Sequence, residues 1–284
     1  MFPKNAYCMK KILFSVIAVC SLITAGAQLR TPAPSPTQTI KQDFGLGDIE
    51  LSYSRPGKKG RKIFGDLVPY GKVWRTGANS ATTLNFSDEV TIGGKKIVGG
   101  KYGLLTIPDR DKWTLIITKQ LDVTSPSAYQ QESDVVRVSV KPMKLDDPVE
   151  TFTMQFANVK PGSCDLNIMW DNTAVSLPIM MDVETVVMKQ IDNLMNKDNR
   201  PYFQAAMYYM ETGKDLNQAV AWFDKAIEQQ PDAFWVHHQR ANALARLGRK
   251  EDAKIAAQKS MELAREAKND DYVRLNEKLL VELK

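Results

Sequence analysis

The basic and aromatic side chains of residues 53–79 have the types and spacing that suit chemistry on a ligand. Seven residues of this segment, here called the basic loop, are basic, four are aromatic and Asp66 is its only acid. A guanidinium presents a planar fork of donors that fits a carboxylate or phosphate, and an aromatic ring can cover an apolar ligand face. The basic loop therefore suits a binding site for a small anionic or carbohydrate ligand. The candidate residues are Arg55, Arg61, Tyr70, Trp74 and Arg75.

The basic loop also suits a structural role. Glycine and proline recur along it and allow the sharp turns of a long loop that wraps a β-domain, while its aromatic residues supply buried area. Its arginines would then pair with acids of neighbouring strands and with carbonyl groups of the loop, and such ion-pair networks imitate functional sites. This scaffold interpretation is favoured, with Arg75 structural and Arg61 free at the surface, and the ligand site is the alternative.

No catalytic residue, cofactor or metal site is predicted. The two histidines of the chain, His237 and His238, are adjacent. On a helix they point about 100° apart, so they do not form the i, i+4 pair of a helical metal site. An enzyme is the alternative function: a hydrolase or carbohydrate-active protein that uses carboxylates such as Asp66 or Glu50. Such chemistry needs two carboxyl groups about 5–10 Å apart, a separation that only a structure can measure.

The first 27 residues have the pattern of a signal peptide. Lys10 and Lys11 precede an apolar run over residues 12–23, and the Ala-Gly-Ala triplet at residues 25–27 is a cleavage motif. The apolar run is shorter than the roughly 20 residues that a membrane span needs. We therefore expect cleavage after residue 27 and a mature chain without a membrane span. The expected location is periplasmic or secreted, without a lipid anchor at Cys20.

The charge and cysteine content of the mature chain narrow the function classes. The full chain has 38 basic and 33 acidic residues. Cleavage removes three lysines and no acid, so the mature net charge is 35 − 33 = +2. A chain this close to neutral has no overall positive electrostatic field that would attract nucleic acid. Cys164 is the one cysteine that remains, so no internal disulfide forms, and we expect it to be a buried core residue.

Residues 40–180 have the pattern of short strands. The segment before them, residues 28–39, is rich in proline, serine and threonine and predicts an extended leader. Apolar and polar residues alternate in segments such as 49–53, and Gly93-Gly94 predicts a hairpin turn. Some nine or ten candidate strands follow one another with no helical interval. This favours an all-β antiparallel sandwich over a βαβ sheet.

Residues 181–284 change to a helical apolar spacing and predict an all-α domain of helical hairpins. Gly213 and Gly248 separate the helices within two hairpins. Asp270 and Asp271 are placed to cap a last helix. The predicted organisation is thus a signal peptide (1–27), a leader (28–39), a β-sandwich domain (40–180) and a helical repeat domain (181–284).

Three motifs of the β region resemble the signature of a known family. They are YSRPGKKGRKIFG (residues 53–65), LVPYGKVWRTGAN (67–79) and VGGKYGLLTIP (98–108). They resemble domain-of-unknown-function family 2911, a family of secreted bacterial β-domains, over roughly residues 31–178. The resemblance implies an exported β-domain, often followed by helical repeats, for which no activity and no catalytic residues are established.

The helical region is similar to tetratricopeptide repeats. In such repeats small residues let paired helices approach closely, and large residues fill the gaps between pairs. The positions that fit are Ala206, Tyr209, Ala219, Phe223, Ala226 and Pro231 in the first hairpin and Ala241, Leu244, Gly248 and Ala253 in the second. The resemblance implies a surface that binds a protein segment.

These patterns together predict an exported binding and interaction protein. A β-sandwich would form a stable platform, and tetratricopeptide-like helices would follow it. The expected partners are a protein or a small anionic or carbohydrate ligand, and not a nucleic acid.

Overall fold

The computed structural model describes residues 31–195 and 200–284 of the 284-residue chain. The predicted signal peptide and residues 28–30 of the leader lie outside the described residues. The chain divides into two compact units, with the boundary between Met181 and Asp182. The first unit is built from strands and the second from helices, and each is described by itself.

The first unit is an antiparallel β-sandwich, which confirms the predicted fold class. Every pair of named strands in the described residues is antiparallel. One sheet has six strands in the order β1-β2-β3-β6-β7-β8, and the other has four in the order β5-β4-β10-β9. The strands are β1 (Thr37–Phe44), β2 (Gly47–Ser54), β3 (Thr82–Phe86), β4 (Val90–Ile92), β5 (Lys95–Ile97), β6 (Gly100–Ile107), β7 (Trp113–Thr118), β8 (Asp134–Val140), β9 (Met143–Lys160) and β10 (Ser163–Met180).

The core of the sandwich forms because side chains alternate across each strand. In β3 the residues Thr82, Leu84 and Phe86 are buried while the two between them are partly exposed. Leu84 pairs with Leu51 of β2 across the ladder. Side chains from both sheets, among them Leu51 and Ile168, belong to one buried cluster.

Cys164 lies in this core with 3% of its surface exposed, which confirms its predicted burial. Desolvation, together with the nearby Asp165 carboxylate, raises the pKa of the thiol to about 11. The thiol therefore stays protonated at neutral pH, as expected of a packing residue.

Strands β9 and β10 are longer than the sequence pattern predicts. The pattern indicates separate strands at residues 165–170 and 174–179, whereas β10 runs through both. The ladder between β9 and β10 shifts register on either side of Asp171, which has φ 52°. A bulge of this kind bends a strand without ending its pairing. Alternation breaks at the bulge, so the sequence suggests two strands where one continues.

The second unit contains six helices in its described residues, consistent with the predicted helical-hairpin domain. They are α1 (Val183–Met195), α2 (Tyr202–Glu211), α3 (Leu216–Gln229), α4 (Phe234–Arg246), α5 (Lys250–Glu266) and α6 (Asp270–Glu282). Helices α2 and α3 pack together, as do α4 and α5. Ala206, Ala219, Ala241 and Ala253 are each fully buried, because small side chains let the helix backbones approach. None of the helices in the described residues is long and apolar enough to span a membrane.

The ends of the helices follow local capping chemistry. Asp215 caps α3 by accepting hydrogen bonds from the backbone N–H groups of Asn217 and Gln218. For α6 the cap is Asn269, whose side chain accepts from Tyr272 N–H at 3.1 Å. The prediction that Asp270 and Asp271 cap this helix is therefore wrong, because the cap is the residue before Asp270. Asp270 and Asp271 lie in its first turn, where their charge favours the helix dipole.

Both histidines are buried within the helical unit. His237 Nε2 lies 2.9 Å from the carbonyl oxygen of Pro231. His238 Nδ1 lies 2.8 Å from Asn276 Oδ1, and the Asn276 amide in turn donates to Ser260 Oγ at 2.8 Å. These contacts join α4, α5 and α6 and give the histidines a role in packing.

Candidate functional site

The basic loop leaves β2 and crosses from one sheet of the sandwich to the other. Near its start, the N–H of Phe152 in β9 donates to Pro56 O at 2.9 Å, and Lys58 N–H donates to Glu150 O at 2.7 Å. Near its end, Trp74 exchanges two backbone hydrogen bonds with Thr106 of β6, at 2.7 and 2.9 Å. The loop is therefore held at fixed points on both sheets, which makes it an ordered surface for a site.

Left-handed backbone at Thr76 and Gly77 turns the chain directly after Trp74. Thr76 has φ 56°, an uncommon conformation for a β-branched residue. Its hydroxyl donates to Thr106 Oγ1 at 3.1 Å, which holds the residue in place. Gly77 has φ 150°, and a Cβ there would lie 3.0 Å from Ser54 O. Backbone strain of this kind is kept where the surrounding structure fixes it, often at functional sites.

An aromatic cluster lies beneath the loop. The Trp74 ring is nearly parallel to that of Trp170, with centroids 5.9 Å apart, and it meets Phe152 edge-on at 5.1 Å. Phe64 packs edge-on against Trp113 at 4.8 Å. The Trp74 indole N–H donates to Gly77 O at 3.0 Å. Trp74 is thus fixed in position while part of its side chain stays accessible.

A cavity of about 370 Å³ opens between the basic loop, the segment before β1 and the segment after β7. Its apolar wall is made by aromatic, aliphatic and proline residues, including Trp74 and Trp170. Three of its lining residues are cationic and none is acidic. The lining residues are Ser35, Pro56, Arg61, Leu67, Val68, Pro69, Lys72, Val73, Trp74, Arg75, Gly77, Ala78, Thr124, Ser125, Pro126 and Trp170.

The three cations of the cavity differ in how they are held. Arg75 is partly buried and donates through Nη1 to Thr124 O, whereas its Nε is buried and has no hydrogen-bond partner among the described residues. Arg61 is exposed and donates to Lys58 O at 3.0 Å and to Gly57 O at 2.5 Å. Lys72 is exposed at the surface. The cavity therefore carries net positive charge with one buried donor unsatisfied.

Two of the predicted site residues lie elsewhere. Arg55 does not line the cavity; it donates to Phe152 O at 3.2 Å and to Thr153 Oγ1 at 3.0 Å, which ties the loop to β9. Tyr70 lines a second cavity of about 340 Å³, where the Arg110 guanidinium lies 5.8 Å from its ring centroid. The structure thus brings Arg61, Trp74 and Arg75 together and separates Arg55 and Tyr70 from them.

Comparison with known proteins gives the family of the first unit. The family model described as "Protein of unknown function (DUF2911)" matches residues 35–179, just over half of the chain. The chain belongs to this family. The matched region contains the whole basic loop and every residue that lines the 370 Å³ cavity. No curated protein and no solved structure matches the chain.

The DUF2911 region is followed by tetratricopeptide repeats, matched at residues 200–232 and 236–266. The first match covers α2 and α3, and the second covers nearly all of α4 and α5. Stacked repeats of this kind form extended surfaces that bind proteins. The repeats therefore indicate a protein-interaction role for the helical unit.

Sequence reasoning missed several residues that line the cavity of the DUF2911 domain. Trp170 is distant in sequence from the basic loop, and only the pairing of β10 in the opposite sheet brings it beneath Trp74. Thr124 and Ser125 lie in the segment after β7, where no local pattern marks them. Lys72 was visible as a charge of the basic loop, and its position beside Trp74 and Arg75 was the signal available.

The carboxylates considered for an enzyme lie outside the cavity. Asp66 is exposed and does not line it. Glu50 is exposed on β2, opposite Lys41 of β1. The second cavity has one acid in its lining, Asp109. Neither cavity brings two carboxyl groups together in the way that glycoside hydrolysis requires.

Proposed function

We propose that this DUF2911 protein is an exported binding and interaction protein. Its β-domain binds a small ligand in the 370 Å³ cavity, and its helical repeats bind a protein partner. The observation that carries the ligand-binding half is the composition of the cavity, in which an apolar aromatic wall meets three cations without any acid. Small-molecule sites are concave, largely apolar and furnished with a few polar groups, and this cavity has those properties.

Export is supported by the first 27 residues. The two lysines, the apolar run and the Ala-Gly-Ala triplet follow the order of a secretory signal.

Protein binding is supported by the two repeat matches and by an exposed aromatic side chain. Trp235, near the start of α4, is 38% exposed. Tryptophan is enriched among the residues that dominate binding energy at interfaces. The proposal is therefore a chain with two binding surfaces, one for a small molecule and one for a protein.

The ligand-binding half is tested by native mass spectrometry of the mature protein after exposure to small molecules extracted from its native envelope. We expect a retained small molecule on the wild-type protein. Ala78→Trp, which places an indole inside the cavity, should abolish the retention. Lys101→Trp, at an exposed position of β6 outside the cavity, is the matched control and should retain the ligand. Equal retention by all three proteins would contradict binding in this cavity.

The protein-binding half is tested by affinity capture from the native envelope fraction with the mature chain as bait. We expect a captured protein that Trp235→Ala releases. Ile255→Ala on α5 is the control, because it also shortens an exposed apolar side chain. Absence of any captured protein with the wild-type bait would contradict this half of the proposal.

A further inference from the structure

We propose that the ligand of the 370 Å³ cavity is a small organic carboxylate with an apolar ring. The carboxylate binds at Arg75, with Arg61 and Lys72 contributing positive charge around the same cavity. The apolar ring lies against the wall formed by Trp74. This inference rests on the proposed ligand-binding function and names the chemical class of the ligand.

The positive charge of the cavity favours an anionic ligand. Arg61, Lys72 and Arg75 line it together without an acidic neighbour in the lining. None of the three forms an ion pair with a described residue, although ion pairs hold many other cations of the chain. Like charges around one small cavity repel each other, and the repulsion is stronger where water is displaced. A bound anion removes this repulsion.

Arg75 indicates a carboxylate as the anionic group. Its Nη1 is engaged by Thr124 O, so the edge formed by Nε and Nη2 remains. Nε is buried with no partner, and such orphaned donors are rare in folded proteins. The Nε–Nη2 edge presents two parallel donors, the arrangement that matches the two oxygens of a carboxylate. In the proposed complex the guanidinium turns so that the buried Nε faces the cavity, and a carboxylate on this edge then satisfies both donors.

The wall and size of the cavity indicate an apolar ring. Trp74 is partly accessible, and its ring packs against Trp170 and Phe152. Valine, leucine and proline side chains complete the apolar wall. A bare inorganic anion would leave this surface in contact with water, and a neutral apolar molecule would leave the guanidinium unpaired. A volume of about 370 Å³ is near the lower end for small-molecule sites, so the ligand is small.

The experiment measures the binding of four probes to the mature protein by isothermal titration calorimetry. The probes are phenylacetate, its neutral isostere phenylacetamide, acetate and phenyl phosphate. We expect phenylacetate to bind about tenfold or more tightly than phenylacetamide, since a charged hydrogen bond contributes on that scale. We expect a similar preference over acetate, which keeps the carboxylate but lacks the ring that buries apolar surface. We also expect phenylacetate to bind more tightly than phenyl phosphate, because one guanidinium edge fits two carboxylate oxygens.

Variants assign the binding to Arg75. Arg75→Gln should weaken phenylacetate about tenfold or more, and Arg75→Lys should weaken it too, because lysine keeps the charge but lacks the fork. Arg110→Gln is the matched control: Arg110 is an exposed arginine at the second cavity, and its loss should leave the affinity unchanged. If Arg75→Gln fails to fold, the Arg75→Lys protein supplies the same comparison.

The outcomes separate this inference from the function on which it rests. Equal affinity for phenylacetate and phenylacetamide would overturn the anionic class, and equal affinity for acetate would overturn the apolar ring. Tighter phenyl phosphate would overturn the carboxylate. Unchanged affinity for phenylacetate in both Arg75 variants would show that the ligand does not bind at Arg75. If none of the four probes binds while an envelope small molecule is retained in an Ala78-dependent way, the function stands and the ligand class is wrong. If no probe binds and no envelope molecule is retained, both the ligand class and the proposed ligand-binding function are wrong.

Discussion

Arginines of one loop take different roles because their surroundings differ. The sequence places Arg55, Arg61 and Arg75 in one basic segment and predicts acids of neighbouring strands and carbonyl groups of the loop as their partners in a scaffold. Among the described residues their hydrogen-bond partners are carbonyl and hydroxyl oxygens: Phe152 and Thr153 for Arg55, Gly57 and Lys58 for Arg61, and Thr124 for Arg75. The charge pattern identifies the loop, but it does not show which arginine finds hydrogen-bond partners for all its donors within the protein.

Arg55→Ala should destabilise the β-domain more than Arg61→Ala. Arg55 is partly buried and bonds two groups of β9, so its loss leaves those acceptors without their partner, at a cost of about 1–3 kcal/mol in the free energy of unfolding. Arg61 is exposed and bonds only carbonyls of its own turn, so its loss should cost less than about 0.5 kcal/mol. Urea unfolding of both variants measures the difference. Equal losses would show that Arg55 does not fix the loop to β9.

Cys164 makes the stability of the fold depend on pH in the alkaline range. Desolvation raises the pKa of its thiol from 9.0 to about 11 in the folded state, so the folded chain holds this proton more tightly than the unfolded chain. The contribution of the protonated Cys164 thiol to the free energy of unfolding is complete below pH 9 and is lost as the pH rises towards 11. Wild-type protein should therefore lose up to about 3 kcal/mol more than Cys164→Ala over this window. Urea unfolding at pH 8, 9.5 and 11 tests this, and parallel curves for the two proteins would contradict it.

Strands and loops differ in how far the sequence determines them. Alternation predicts β3 because this strand is short and regular, whereas the pattern predicts two strands in place of β10 because the bulge at Asp171 interrupts the alternation. The sequence predicts that the aromatic residues of the basic loop are buried. Tyr53, Phe64 and Trp74 belong to the core or pack against it, whereas Tyr70 lines the second cavity. The cavity could not be predicted, since Trp170 and Thr124 reach it through strand pairing between distant segments.

Gly65→Ala tests how tightly the basic loop is packed. Gly65 has φ 84°, and a Cβ there would lie 2.5 Å from the Tyr70 ring. The substitution should therefore lower the free energy of unfolding by about 1–3 kcal/mol more than the backbone strain alone does. Gly60→Ala is the matched control, because Gly60 has φ 68° and no atom within 4 Å of an added Cβ. Thermal melting of the two variants separates the steric clash from the strain.

The Tyr70 ring should account for that difference. In the double variant Gly65→Ala, Tyr70→Ala the added methyl group has room, so the penalty of Gly65→Ala should shrink towards that of Gly60→Ala. An unchanged penalty in the Tyr70→Ala background would show that the contact does not limit the loop.

At the scale of the whole molecule, the proposed function gives the chain two binding roles. The β-domain binds a small ligand, and the helical repeats bind a protein. The family and the repeats were both evident from the motifs of the sequence and are matched by family models. What the ligand is could not be derived from the sequence, because the cavity depends on the three-dimensional arrangement of both sheets.

Export predicts the mass of the native protein. Cleavage after Ala27 should give a mature N-terminus at Gln28 in protein isolated from its natural source, because the Ala-Gly-Ala triplet presents small residues to the peptidase. Intact-mass and N-terminal peptide measurements check this. A native protein that keeps residues before Ala25, or carries an acyl group on Cys20, would contradict the proposed processing.

The most direct test of the account is a crystal structure of the mature protein purified from its natural source. The proposed function predicts non-protein density in the cavity beside Trp74, with an oxygen atom within about 3 Å of the Arg75 guanidinium. A cavity filled by the protein's own side chains, or an Arg75 paired with a carboxylate of the chain, would contradict it.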